Sequence, residues 1–170
     1  VVGFDLQWLA RKCEALGIGF DIGTDGPAQM LEPNQVSYQW IARIPGRVAL
    51  DGINMSRLSN IETEGYSLSS VAQKILGRKK LIETRGTEKT QEITRLFNED
   101  KSALARYNLE DTRLVHQIFD KLGFTQLAVR RAKLTGLSLD RVGGSVAAFD
   151  FLYLPRLHRR GYVADTHPQP

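Results

Sequence analysis

A single cysteine, Cys13, stands in 170 residues. One thiol excludes an intramolecular disulfide and any cysteine-built zinc cluster, and it suits a reducing compartment. Histidine is scarce too: His116, His158 and His167 are scattered, without the spacing of a metal site. No apolar run approaches the ~20 residues a bilayer-spanning helix needs, so no membrane partner is expected. No signal-peptide pattern is visible at the N-terminus, and no internal repeat or low-complexity segment interrupts the chain.

What is present is ordinary for a chain that buries a core. Hydrophobic residues make up 42% and charged residues 25%, enough for one domain or slightly more. The net charge of +4 permits a polyanionic partner without requiring one. The basic residues gather at Arg78-Lys79-Lys80, at Arg130-Arg131-Lys133 and at Arg156-His158-Arg159-Arg160. Each group fits a solvated helix end favoured by the dipole, and each fits a nucleic-acid contact.

Val1 to Phe4 reads as the tail of a strand already in progress, so the chain is expected to be a piece of a longer protein. Asp5 follows as the N-cap of a helix with Leu6, Leu9, Ala10, Cys13 and Leu16 on one stripe and Gly17 as its stop. Phe4 and Leu9 have the spacing of a hydrophobic staple. Asp21 to Asn34 is rich in Gly, Asp and Pro and predicts a loop, with its turn at Asp25-Gly26-Pro27. Val36 to Ile44 alternates as a strand, Pro45-Gly46 turns it, and Arg47 to Asp51 returns as its hairpin partner.

Met55 to Gly65 has no readable period. Ser67 caps a helix with Leu68, Val71, Ala72, Ile75 and Leu76 inward, closed by Gly77. Arg78 to Lys89 is a charged connector. A helix carrying Ile93, Leu96 and Phe97 follows, and Asp100 caps a longer one reaching Leu122. Asn108, with Asp111 three residues on, has the pattern of a local cap and predicts a restart within that helix. Phe124 to Leu134 is amphipathic, and Gly136 to Asp140 predicts a short extended piece. A last helix runs from Val146 to about Arg160, with Pro155 as a kink or break. His167 to Pro170 predicts a disordered tail.

Three carboxylates and a phenol are candidates for chemistry. Asp5 ends a predicted strand where a helix begins, the place where α/β proteins put ligands. Asp51 ends another, and is equally a turn residue. Tyr107 and Asp111 are four apart, so a helix puts them on one face at about 5–6 Å between Cβ atoms. The carboxylate can hold a hard cation and the phenol can position a water beside it. The same spacing also fits a solvated helix face with Tyr107 half-buried.

Ordered along the chain, these stretches resemble the proofreading 3′–5′ exonuclease region of family B DNA polymerases, of the bacterial polymerase II type. Val1-Val2-Gly3-Phe4-Asp5-Leu6 is similar to the second exonuclease motif of that family, without the Asn that precedes its Phe-Asp pair. Tyr107-Asn108-Leu109-Glu110-Asp111 matches the third, Y-x-x-x-D. Gly46 to Gly52 and Tyr66 to Gly77 look like the connecting segments. Gly143 to Ala148 and Tyr153 to Val163 look like the run leading toward the polymerase palm.

The resemblance implies an α/β fold of the ribonuclease H-like (DnaQ-like) exonuclease type, truncated at its N-terminal strands, helix-rich, with one β-hairpin. It implies a partial exonuclease domain over 1–135 and a connecting segment over 136–170. It assigns catalysis to Asp5, Tyr107 and Asp111, and metal binding to Asp5 and Asp111, with two Mg²⁺ or Mn²⁺ ions in the intact parent. The family's first motif, an Asp-x-Glu, is not found ahead of Asp5, so two of four acidic ligands are present and the isolated chain is expected to be inactive. The implied partners are DNA with a single-stranded 3′ end or a primer-template, and deoxynucleoside triphosphates in the parent. The implied setting is the bacterial cytoplasm, at the nucleoid. An open sheet edge would also favour dimers. The alternative is a non-catalytic nucleic-acid-binding or structural module in which Asp5 and Asp111 are only helix caps.

Overall fold

The computed structural model describes residues 2–31, 40–63, 65–78, 87–141 and 144–165. Its contacts group into two compact units, Val1–Asp51 with Arg130–Pro170, and Gly52–Val129.

The first unit opens on a correction. Val2–Leu6 is a π-helical turn, not a strand end, and it runs directly into α1, Gln7–Ala15. A strand needs a neighbour for its backbone groups. Among the described residues the sheet has two strands, neither of them this segment, which bonds along its own axis instead. Asp5 therefore is not the N-cap. That place falls to Leu6, whose φ −67° and ψ −37° are already helical and whose side chain makes no capping bond. An aspartate cap needs an extended backbone at its own position, which helical continuity removes. Leu6, Ala10 and Cys13 turn partly inward, whereas Leu9 and Phe4 of the predicted staple are mostly exposed. Gly17, at φ +64°, ends the helix as predicted, and Ile18 N–H donates back to the Cys13 carbonyl at 2.9 Å.

The hairpin exists with a different partner. β1, Gln29–Leu31, pairs antiparallel with β2, Ile41–Arg43, in the register Gln29↔Arg43 and Leu31↔Ile41. β1 lies inside the predicted loop. The predicted return strand Arg47 to Asp51 makes one bridge, Ile44↔Arg47, across the Pro45-Gly46 turn, and then leaves the sheet. The loop before β1 folds back on that turn, with Thr24 N–H donating to the Pro45 carbonyl at 2.9 Å. The sheet therefore grows on the N-terminal side of β2. Val36 and Tyr38 of the predicted strand lie outside the described residues.

The second unit is helical. α2, Gly52–Leu58, begins before the stretch without a readable period and runs into it, with Met55 and Ser56 buried; Ser56 Oγ donates to the Gly52 carbonyl at 2.7 Å. α3, Leu68–Leu76, has the predicted caps: Ser67 Oγ accepts from Ser70 N–H at 3.1 Å, and Gly77 takes the left-handed φ of +67°. α4, Thr87–Glu99, buries Leu96 and leaves Phe97 mostly exposed. The connector residues 79–86 lie outside the described residues.

α5, Lys101–Leu122, starts on the Asp100 cap, whose Oδ1 accepts from Ala103 N–H at 2.8 Å, and ends at Gly123. It is continuous for 22 residues, which corrects the predicted restart at Asn108. The Asn108 carbonyl sits within the helical ladder and also accepts from Thr112 Oγ1.

α3 and α4 both pack against α5. Two cations tie the end of α3 to it. Lys121 Nζ donates to the Ile75 carbonyl at 2.6 Å, and Arg78 forks onto Gln117 and Glu110 at 2.8 and 2.5 Å.

α6, Phe124–Thr135, starts in the second unit and ends in the first. Phe124 is buried and meets the Phe119 ring edge-on at 5.3 Å. The predicted extended piece after Gly136 is a loop closed by Arg141 N–H donating to the Ser138 carbonyl. Arg131 Nη1 donates to the Arg141 carbonyl at 2.6 Å. α7, Ser145–Arg159, runs through Pro155 unbroken. The ring there removes one N–H, and Arg156 Nη1 adds a bond to the Leu152 carbonyl at 2.9 Å beside the gap. The predicted tail at His167 to Pro170 lies outside the described residues.

The described fold is thus helix-rich α/β, with seven α-helices and one two-stranded sheet. No described helix is long and apolar enough to cross a membrane.

Candidate active site

The centre of α5 carries an anomaly. Leu104, Tyr107, Asp111, Leu114 and Ile118 follow one another at spacings of three and four, so they form one seam along the helix. Tyr107, Leu114 and Ile118 are buried, and Leu104 is partly so. Asp111 occupies the middle of this seam, partly buried, with its Oδ1 out of reach of solvent. Removing a carboxylate oxygen from water is costly unless polar groups or a cation answer it. The plain reading of a solvated face with Tyr107 half-buried is therefore corrected. The phenol is 8% exposed, and the carboxylate one turn later faces the packed side.

The preceding residue, Glu110, points differently. Its carboxylate is held by Arg78 at 2.5 Å, at the exposed margin where Gln117 shares the same guanidinium. Sequence reasoning missed this pair, since nothing in the spacing of residues 78 and 110 announces it.

The other candidates are placed as follows. Asp5 is exposed, within the π-helical turn of the first unit. Asp51 is partly buried and immediately precedes α2. Tyr107 and Asp111 belong to the second unit. Of the basic groups, Arg78 is paired and Arg131 is bonded to a carbonyl, whereas Arg156, Arg159 and Arg160 line the exposed end of α7. Among the described residues, a displaced carboxyl lies elsewhere. Two hydrogen bonds from the Arg95 guanidinium hold the exposed Glu92 carboxyl below its usual range.

Magnesium and manganese favour oxygen ligands in octahedral array, which suits aspartate. Among the described residues no three Asp, Glu, His or Cys side chains converge. The described residues do not form a two-metal centre by themselves.

No family model matches the chain. Curated relatives do. The chain is 41% identical over 167 residues to DNA polymerase II of Escherichia coli strain K12, covering 96% of this chain and 21% of that protein. It is 26% identical over 171 residues to a DNA polymerase of Thermococcus kodakarensis, covering 97% of the chain and 10% of the relative. A DNA polymerase of Thermococcus sp. strain 9oN-7 matches at 25% over the same share of the chain and 20% of its own length. The chain thus spans between 10% and 21% of the length of these relatives. Along nearly its whole length the chain is thus similar to a segment of these DNA polymerases, with DNA polymerase II of E. coli among them.

Proposed function

We propose that this chain is the larger part of the 3′–5′ proofreading exonuclease region of a DNA polymerase of the polymerase II type, with a partial exonuclease domain over residues 1–135 and a connecting segment over 136–170. The whole enzyme extends DNA with deoxynucleoside triphosphates and excises mispaired nucleotides from a single-stranded 3′ end. The region adopts the ribonuclease H-like exonuclease arrangement.

Asp5 and Asp111 supply two of the carboxylates that hold Mg²⁺ or Mn²⁺, and Tyr107 orients the attacking water. Such ions, when bound, would supply an activated water and stabilisation of the leaving oxygen. The observation that supports this best is the place of Asp111. A carboxylate one turn from a buried tyrosine, in the packed seam of a long helix, sets phenol and carboxylate side by side.

The test is Asp111→Ala in the full-length polymerase carrying this segment, assayed for nucleotide release from a 3′ mismatch. Release is expected to fall on the order of a hundredfold or more, the scale of losing a group that stabilises a charged transition state. Extension of a matched primer is expected to persist. Excision at the unmodified rate would overturn the assignment.

A further inference from the structure

α5 has a polar edge beside its apolar seam. At about 100° per residue, Glu110, Gln117 and Lys121 fall within about 20° of one line along the helix. Asp111 lies about 100° round from that line, in the packed seam. All three edge residues meet the C-terminal end of α3. Arg78, just past the Gly77 cap, donates from Nη2 to Glu110 Oε1 at 2.5 Å and from Nη1 to Gln117 Oε1 at 2.8 Å. Lys121 Nζ donates to the Ile75 carbonyl at 2.6 Å, in the last turn of α3.

These bonds supply what the seam lacks. Apolar packing is non-directional, so by itself it tolerates a small turn or slide of α5 against α3. Hydrogen bonds are directional. One guanidinium grips two residues that are two turns apart, about 10 Å of helix, and so fixes α5 in both rotation and height. A turn of about 10° would carry a carboxylate ~5 Å from the helix axis by about 1 Å. A misplacement of about 1 Å can cost on the order of a hundredfold in rate. Exposed ion pairs ordinarily contribute little, but here the Glu110 side chain is 16% exposed and its partner is a forked donor.

We propose that Arg78 is a positioning residue for excision: by holding Glu110 and Gln117 it sets the rotation of α5 that presents Tyr107 and Asp111. The inference rests on the assignment of Asp111 to the chemistry. Arg78 acts through the helix and not on the substrate.

The test uses the full-length polymerase carrying this segment, a primer with a 3′ mismatch, and Mg²⁺. Arg78→Gln and Glu110→Gln are each expected to slow nucleotide release at saturating DNA by about tenfold, with KM for the mismatched primer unchanged. Extension of a matched primer is expected to persist in both. The swapped pair, Arg78→Glu with Glu110→Arg, is expected to regain most of the loss, because the Gln117 amide can accept or donate. In enzyme stripped of metal by a chelator, hydrogen exchange around Tyr107 to Asp111 is expected to quicken in Arg78→Gln and to slow again in the swapped pair. Excision at the unmodified rate in Arg78→Gln would overturn the proposal, whatever the hydrogen exchange shows. So would a raised KM in Arg78→Gln that Glu110→Gln does not share, the mark of a direct contact with DNA, or a defect that the swapped pair leaves in full. Failure of the underlying assignment shows separately, as unchanged excision in Asp111→Ala.

Discussion

Leu114 and its neighbour Val115 show how sharply α5 sorts its residues. Leu114 is fully buried, and Val115 is 40% exposed although both are apolar. Apolar character alone does not separate the two, because it reports what a residue tolerates and not which way a helix turns it. Truncating Leu114 removes transfer energy and opens a cavity on the face that meets α3 and α4. Leu114→Ala is expected to destabilise the chain by about 3 kcal/mol, read as a fall in the urea midpoint with unchanged slope. Val115→Ala is expected to stay within about 0.5 kcal/mol. Equal losses from the two would show that the seam is not where the side chains place it. Asp111 lies one turn before Leu114 in that seam, so its cost to the fold and its value to chemistry are set by the same rotation of α5.

Helices were legible where a side chain announces their ends. Ser67 with Gly77, and Asp100 with Gly123, make the bonds and left-handed turns their identities predict. The hairpin was legible only at its turn. Strand pairing depends on which backbone arrives alongside, and the loop through Thr24, folding onto Pro45, decides that beyond any local pattern. α2 had no period to read because seven residues are fewer than two full turns plus a cap. Asp5 misled for a related reason. Aspartate before an apolar stripe is a cap signal, and the signal does not say that a helical turn already precedes it.

α4 carries an element-scale prediction. Arg95 bonds Glu92 through two nitrogens and Glu99 through a third contact, all on the exposed side. The bonds from Arg95 depress the Glu92 carboxyl, and its desolvation opposes them. A depressed carboxylate contributes above its unfolded value and loses that contribution as pH falls through the folded one. Hydrogen exchange in Thr87–Glu99 is therefore expected to quicken, beyond its intrinsic pH dependence, as pH drops below about 4. In Arg95→Gln that extra acid-driven increase is expected to shrink. An α4 whose protection has the same pH dependence with and without Arg95 would show the pairing to be idle, as many exposed pairs are.

At the scale of the whole molecule, the question is how much chemistry 170 residues with two candidate acidic ligands can perform. Two-metal phosphodiester hydrolysis needs ions about 3.5–4 Å apart, each held on several oxygens. The candidates are Asp5, exposed in a turn of the first unit, and Asp111, partly buried in the second. Two carboxylates are fewer than two such ions would need, so these residues alone would hold the pair incompletely. A net charge of +4 favours DNA binding at low salt, so binding and cleavage are expected to separate. The purified chain, given single-stranded DNA and millimolar Mg²⁺, is expected to bind the strand at low salt yet release nucleotides at less than about a hundredth of the rate of a full-length enzyme. Adding the chain to a polymerase made excision-deficient by Asp111→Ala should not restore release, because the two acidic sets then sit on separate molecules. Robust Mg²⁺-dependent degradation by the chain alone, abolished by a chelator and by Asp111→Ala, would mean that it completes a metal centre from its own residues. The division of labour proposed for Asp5 and Asp111 would then have to be redrawn.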